Sequence, residues 1–178
     1  MAQVYHEHYT VDDYRQWEGD WELIQGMPYA MTPSPGLTHQ LCLTNLAHVI
    51  KDSLEEEASC ADCLVVVEMD WQVSGDTVVR PDLLLTCREV EETLVRPPEL
   101  VAEVVSASST IRDEQIKFEL YAREGVAWYL LLYPERRLAR FYRNRDGAFV
   151  QEMDATDGQA VLAIGDCRLE LNVGRIWR

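Results

Sequence analysis

Residues 99–133, ELVAEVVSASSTIRDEQIKFELYAREGVAWYLLLY, decide the fold. The segment opens as a β-type run at 100–105 and passes through a hydroxyl-rich loop. It resumes as a helix that the Thr110 hydroxyl can cap, with Asp113 and Glu114 in the first turn. Ile116 and Leu120 mark the core-facing line of that helix, and Gly125 is the residue type that ends helices in the left-handed conformation. Residues 126–133 are near-continuously apolar, as a strand covered on both faces must be. Strand, helix, strand in close succession predicts an α/β unit.

Upstream, residues 10–18 (TVDDYRQWE) read as a short helix opened by Thr10, and 21–25 with 27–31 as a hairpin around Gly26. Leu41, Leu43, Leu46, Ala47, Ile50 and Leu54 recur at helical spacing, which predicts the first long helix over 38–57. Unbroken β-type runs at 64–73 and 77–86 follow it. Downstream, short strands at 137–143, 148–153, 160–164 and 168–171 alternate with turns such as Asp146-Gly147 and Asp157-Gly158, predicting a β meander. The Pro-rich spots at 33–35 and 97–98 are loops, and no repeat or linker divides the chain. The expected architecture is an α/β (α+β) domain with a mixed sheet. One unit spans 1–178: an N-terminal helix and hairpin (1–37), a core (38–134) and a β extension (135–178).

The 178 residues are 47% hydrophobic and 26% charged, which excludes a disordered chain and a fibrous rod. No apolar run approaches the roughly 20 residues of a membrane span, and the start MAQVYHEHYT is too polar for a signal peptide. A soluble, cytoplasmic protein with no membrane partner is expected. The cysteines at 42, 60, 63, 87 and 167 are odd in number and scattered, so a complete disulfide framework is excluded and a reducing compartment is expected. Cys60 and Cys63 have CxxC spacing but no second pair, so zinc is not expected. The net charge of −15 is concentrated early, with 13 acids and 2 bases in residues 1–70. General electrostatic attraction to nucleic acid calls for a basic domain, so composition alone argues against a polyanion partner.

Charge in the wrong place is the functional signal. Asp82 lies inside VVRPDLLLT and Glu103 inside ELVAEVVS, each a carboxylate where the segment should be dry. Either acid alone is explained by pairing with an arginine such as Arg80 or Arg112. Two on consecutive strands could instead converge on one hard cation. Lys117 is one of only two lysines, and with Asp113, Tyr121 and Glu124 it falls on a polar line beside the apolar stripe of its helix. An ammonium there, overhanging the two acids, could orient a water or steady a developing phosphorane charge.

Pro81-Asp82, the Glu103-Val104-Val105 strand end and the helical Lys117 resemble the PD-(D/E)XK nuclease superfamily. The variant is the one in which the lysine has migrated from the position of Val105 to the following helix. More closely, the ordered blocks YTVDDYRQW, DWELIQGMPYAMTPSPGLTHQ, VVRPDLLLT, PPELVAEVVSASST and IRDEQIKFELYAREGVAWYLLLYP resemble the Uma-type restriction endonuclease family over nearly the whole chain. The resemblance implies a restriction-endonuclease-like αβββαβ core, phosphodiester hydrolysis of nucleic acid, DNA foremost, and Mg²⁺ or Mn²⁺ as cofactor. It implies catalytic roles for Asp82, Glu103 and Lys117, metal ligation by Asp82, Glu103 and Glu22, and site-lining roles for His39 and Tyr121.

The segment RRLARFYRNR places Arg137, Arg140 and Arg143 among Phe141 and Tyr142 and could form a phosphate-binding strip; its plain alternative is a solvated edge strand. Cutting both strands of a duplex calls for two sites, so a homodimer is expected. Two rival readings stand beside the nuclease: a non-catalytic nuclease-fold module that binds nucleic acid or a protein, and an acidic protein-interaction domain.

Overall fold

The computed structural model describes residues 7–31, 36–90, 92–107 and 109–178. The expected loop at 33–35, the polar N-terminal start up to residue 6 and position 108 of the hydroxyl-rich loop lie outside the described residues.

Helix α1 (Val11–Tyr14) begins as the sequence requires. The Thr10 hydroxyl accepts the Asp13 backbone N–H, and Asp13 in return accepts the Thr10 N–H at 2.8 Å. The hairpin β1 (Trp21–Ile24) and β2 (Met27–Ala30) turns at Gly26, whose φ of 76° suits glycine. Helix α2 (Leu37–Glu56) follows, burying Cys42, Leu43, Leu46, Val49 and Ile50 along one side.

The two long β-runs expected next are each broken. Residues 64–73 divide into β3 (Leu64–Val67) and β4 (Trp71–Ser74) around Glu68, which takes a left-handed φ of 50°. Residues 77–86 divide into β5 (Thr77–Val79) and β6 (Leu83–Thr86) around Arg80-Pro81, where the proline has no N–H to give a ladder. The halves join different sheets: β4 and β5 complete a four-stranded sheet in the order β2-β1-β5-β4, while β3 and β6 belong to a six-stranded one. Asp82 stands where the chain crosses between them.

After β6 come β7 (Leu100–Val104), a π-helical turn (Arg112–Ile116), α3 (Lys117–Arg123), β8 (Trp128–Tyr133), β9 (Leu138–Arg145) and β10 (Ala148–Ala155). The six-stranded order is β10-β9-β8-β7-β6-β3, and only β7 and β8 run parallel, joined over one face by α3. The αβββαβ core is thus present with β4 and β5 inserted. The expected single meander divides: β9 and β10 extend the large sheet, whereas β11 (Gln159–Ile164) and β12 (Cys167–Asn172) form a separate hairpin.

The large sheet is covered on both sides, which is why β7 and β8 carry hardly a polar residue. Leu83, Leu100, Leu130 and Phe141 pack toward α2 and the β11–β12 hairpin. Leu84, Val101, Tyr129 and Leu131 pack toward α3 and the small sheet. Each such leucine contributes roughly 1.5–3 kcal/mol by leaving water, so a carboxylate in these strands needs a specific partner.

The cysteines pair in part, as their odd number requires. Cys60 is bonded to Cys167 and Cys63 to Cys87, leaving Cys42 as the buried free thiol, its pKa pushed up to about 12 by burial and by the charge of Asp82. Register explains one bond: Leu64 pairs with Thr86, so the next residues outward, Cys63 and Cys87, face each other across the strands. Packing of the α2 end on β12 explains the other. Among the described residues no helix is long and apolar enough to cross a membrane.

Candidate active site

The antiparallel β6–β7 register pairs Leu83 with Ala102, so one step outward Asp82 stands opposite Glu103. The two acids interlock through the backbone: Asp82 N–H donates to Glu103 Oε2 at 3.2 Å, and Val104 N–H donates to Asp82 Oδ2 at 2.7 Å. Glu103 is 2% exposed, and its other oxygen, Oε1, accepts from Lys117 Nζ at 2.9 Å and from the Tyr121 hydroxyl at 3.0 Å. Tyr121 is itself fixed by stacking on Trp71, ring centroids 5.7 Å apart.

Lys117 does not lie on a solvated stripe. It is 3% exposed, and the line Asp113-Lys117-Tyr121, expected to be the polar side of the helix, is the side that faces inward. The wall it faces carries Glu103 from β7 and Glu22 from β1 rather than apolar groups alone. Glu22, fully buried, holds Lys117 Nζ at 2.8 Å and the Arg80 backbone N–H at 2.8 Å through Oε1, and Arg112 at 3.1 Å through Oε2. Glu22 is therefore separated from the Asp82–Glu103 pair by the ammonium, and the expected three-acid ligand set is not assembled. Among the described residues no group of three or more His, Cys, Asp or Glu is placed to hold a metal ion.

His39, near the start of α2, sets Nε2 3.2 Å from Asp82 Oδ2, while its buried Nδ1 has no hydrogen-bond partner among the described residues. Both side chains are partly open, 16% and 21% exposed. His39 and the backbone end of β7 line a cleft of about 640 Å³ that continues past Thr110 and Tyr133 to Arg136 and Arg140.

Asp113 and Arg112 join the site without a clear signal in the sequence. Asp113 shows only as one member of the helix's polar line, and Arg112 only as one possible partner for the strand acids; in the structure it serves Glu22. Four acids (Glu22, Asp82, Glu103, Asp113) meet two permanent cations (Arg112, Lys117), an excess of two negative charges when His39 is neutral. Burial, reinforced by Asp82, Asp113 and Glu22 and opposed by Lys117, lifts Glu103 well above the usual carboxylate range. Burial also pushes Asp113 up to about 6. For Lys117 burial acts downward, but Glu103, Glu22 and Asp113 outweigh it and hold the ammonium above its ordinary range. Burial likewise works against a charged His39, and the hydrogen bond and charge of Asp82 overcome it to raise the imidazole.

Strand alternation divides the arginine segment between two faces. Arg140 and Arg143 are three apart on β9 and point to opposite faces of the sheet: Arg140 lies over Tyr133, Arg143 over Trp128, both at under 6 Å from the ring centre. Arg140 is also bound twice by Asp154, at 2.8 and 2.9 Å. Arg137 sits exposed in the turn before the strand, at φ 47°.

A mixed sheet flanked by helices, with paired strand-end acids and a lysine reaching them from the crossover helix, defines a nuclease-like fold of the restriction-endonuclease class. The chain belongs to the Uma2 family, described as "Putative restriction endonuclease", whose model matches residues 11–173. It is similar in structure to a putative nuclease of the DUF820 group from Anabaena variabilis, with a TM-score of 0.75 at 15% identity, over 95% of this chain and 97% of that one. At that identity the likeness speaks for the fold. No curated protein matches the chain.

Two hard carboxylates are the number Mg²⁺ ordinarily takes from a protein, the remaining positions going to water and substrate phosphate. The donor chemistry fits Mg²⁺ or Mn²⁺.

Proposed function

We propose that this chain is a divalent-metal-dependent endonuclease acting on nucleic acid, DNA foremost, with Asp82 and Glu103 as the residues that hold Mg²⁺ or Mn²⁺. The observation that carries the reading is the interlocked Asp82–Glu103 pair with Lys117 Nζ 2.9 Å from Glu103. Bound there, the metal supplies a Lewis acid for the phosphoryl oxygen and lowers the pKa of an attacking water. Lys117, locked between two carboxylates and held protonated, is a positioning residue: it neutralises Glu103 Oε1 so that Oε2 stays turned toward Asp82. It does not act as a base at neutral pH. Glu22 and Arg112 keep the ammonium in place, and Tyr121 fixes Glu103 from the other side. His39 is the one titratable group on the cleft wall in contact with Asp82, placed to exchange a proton with solvent at the substrate side. Residues 1–178 act as one nuclease-fold unit in this reading, and a homodimer brings two such sites to a duplex.

Supercoiled plasmid and single-stranded RNA, incubated with Mg²⁺, Mn²⁺ or EDTA, test it. Metal-dependent nicking or linearisation by wild type, lost in Asp82→Asn, is expected. Binding without cleavage in any metal would select the non-catalytic module, and absence of binding would select the acidic interaction domain.

A further inference from the structure

A second feature lies on the reverse of the small sheet. Trp21 and Pro28 project from β1 and β2 away from the face that carries Glu22, as strand alternation requires. Tyr9 and Trp17, from the segments on either side of α1, close over them. Tyr9 and Trp17 meet edge to face, 5.4 Å between centroids at 80°, and Trp17 meets Trp21 at 5.8 Å and 66°. Rings meeting near right angles form corners. Here the corners border an open pocket of about 320 Å³ lined by Tyr9, Trp17, Trp21, Pro28 and a single acid, Glu18.

The three rings remain partly exposed. Packing alone would be served better by closing them. Their polar handles are in part already spent, Trp21 Nε1 on the Glu18 carbonyl at 2.9 Å and the Tyr9 hydroxyl on Glu7 at 2.7 Å. What is left to a ligand is π-surface and the Glu18 carboxylate. Of the six acids in residues 7–31, Asp12 is paired with Arg15, Asp20 with Arg80 and Glu22 with Lys117 and Arg112, which leaves Glu7, Asp13 and Glu18 with no basic partner among the described residues. The local field therefore repels a nucleotide or any other anion that would otherwise stack here, and attracts a cation.

A primary ammonium would lose hydrogen bonds to water on entry and find one carboxylate in return. An alkylated ammonium has few or no N–H donors to satisfy, is weakly hydrated, and gains from each ring face. We propose that Tyr9, Trp17, Trp21 and Glu18 form an aromatic cage for a methylated ammonium group, a function separate from phosphodiester cleavage.

The test is calorimetric titration of the full chain with choline, with a trimethyllysine peptide and with 3,3-dimethylbutanol, the neutral carbon isostere of choline. Saturable binding of choline or the peptide is expected, at least tenfold tighter than the isostere, a gap of about 1.4 kcal/mol. Choline equal to the peptide points to a free small-molecule ligand, and a strong preference for the peptide points to a modified protein; both support the cage. Trp17→Leu should abolish binding, Trp17→Phe should weaken it, and Glu18→Gln should weaken it without altering the melting curve. Equal binding of the isostere, binding untouched by Glu18→Gln and Trp17→Phe, or no saturation below about 10 mM would overturn the proposal.

Discussion

Asp113→Asn should stabilise the metal-free protein at alkaline pH and leave it nearly unchanged at acid pH. Asp113 is 3% exposed, and burial raises its pKa from 3.8 to about 6 despite the pull of Lys117 and a hydrogen bond from Ser109. A carboxyl whose folded pKa lies above its unfolded one contributes stability that is fully present below the unfolded value and is lost as pH rises through the folded one. The wild type should therefore lose stability relative to the Asn variant between pH 4 and pH 7. At 1.36 kcal/mol per unit the difference is about 3 kcal/mol. For a chain of this size that corresponds to roughly 6–12 °C in melting temperature. Urea denaturation of both proteins in EDTA at pH 4, 5, 6, 7 and 8 measures it. If the variant is less stable than wild type by the same amount at every pH, Asp113 is a needed partner of Lys117 and the charge-excess argument fails.

Lys117→Met leaves the buried Glu103 without its cation and Glu22 with Arg112 alone, at a cost of about 3–5 kcal/mol at pH 8 that shrinks as pH falls and Glu103 takes up a proton; Lys117→Arg should rescue poorly, because a guanidinium does not fit a slot built for a compact ammonium. An unchanged denaturation midpoint in Lys117→Met would contradict the burial. Reduction should also destabilise the chain, since Cys60–Cys167 closes a loop of 107 residues, for which chain entropy gives about 4–5 kcal/mol as an upper estimate; thiol labelling of the unreduced protein, unfolded in urea to open the buried Cys42, should find that one thiol, and five reactive thiols would refute the pairing. Arg140→Gln should weaken nucleic-acid binding, because it leaves Asp154 unneutralised beside the cleft, while Arg143→Gln, on the other face, should leave binding unchanged; equal effects would restore a continuous strip.

The strand–helix–strand at 99–133 was legible because two strong periodicities meet there with a terminating glycine, although the expected cap is not made: the Thr110 hydroxyl donates to the Ser106 carbonyl at 2.8 Å instead of capping the helix. The breaks at Glu68 and Arg80-Pro81 were less so. Both halves of each run are apolar enough to be one strand, and only pairing partners distant in sequence send them to different sheets. The acids Asp82 and Glu103 stood out because they violate a dry pattern. Asp113 and the burial of Lys117 did not, because a helical wheel shows which residues share a line but not what faces that line. Cysteine pairing was hidden for the same reason: the register that brings Cys63 to Cys87 is a property of the sheet, not of the spacing.

The acidity and the proposed substrate are compatible once the location of the cations is considered. Arg140, the cleft arginine on β9, is committed to Asp154 at 2.8 Å, and farther along the same strand Arg145 is committed to Glu152 at 2.6 Å. A surface so neutralised gathers few phosphates by counterion release, the usual source of nucleic-acid affinity. In the proposed function attraction comes instead from the Asp82–Glu103 pair, where a divalent cation would be held and a phosphate could share it. On this reading the protein binds its substrate weakly without metal, whatever the salt concentration. The same acidic surface that disfavours random contacts with nucleic acid elsewhere on the molecule leaves the Asp82–Glu103 end of the cleft as the point of approach.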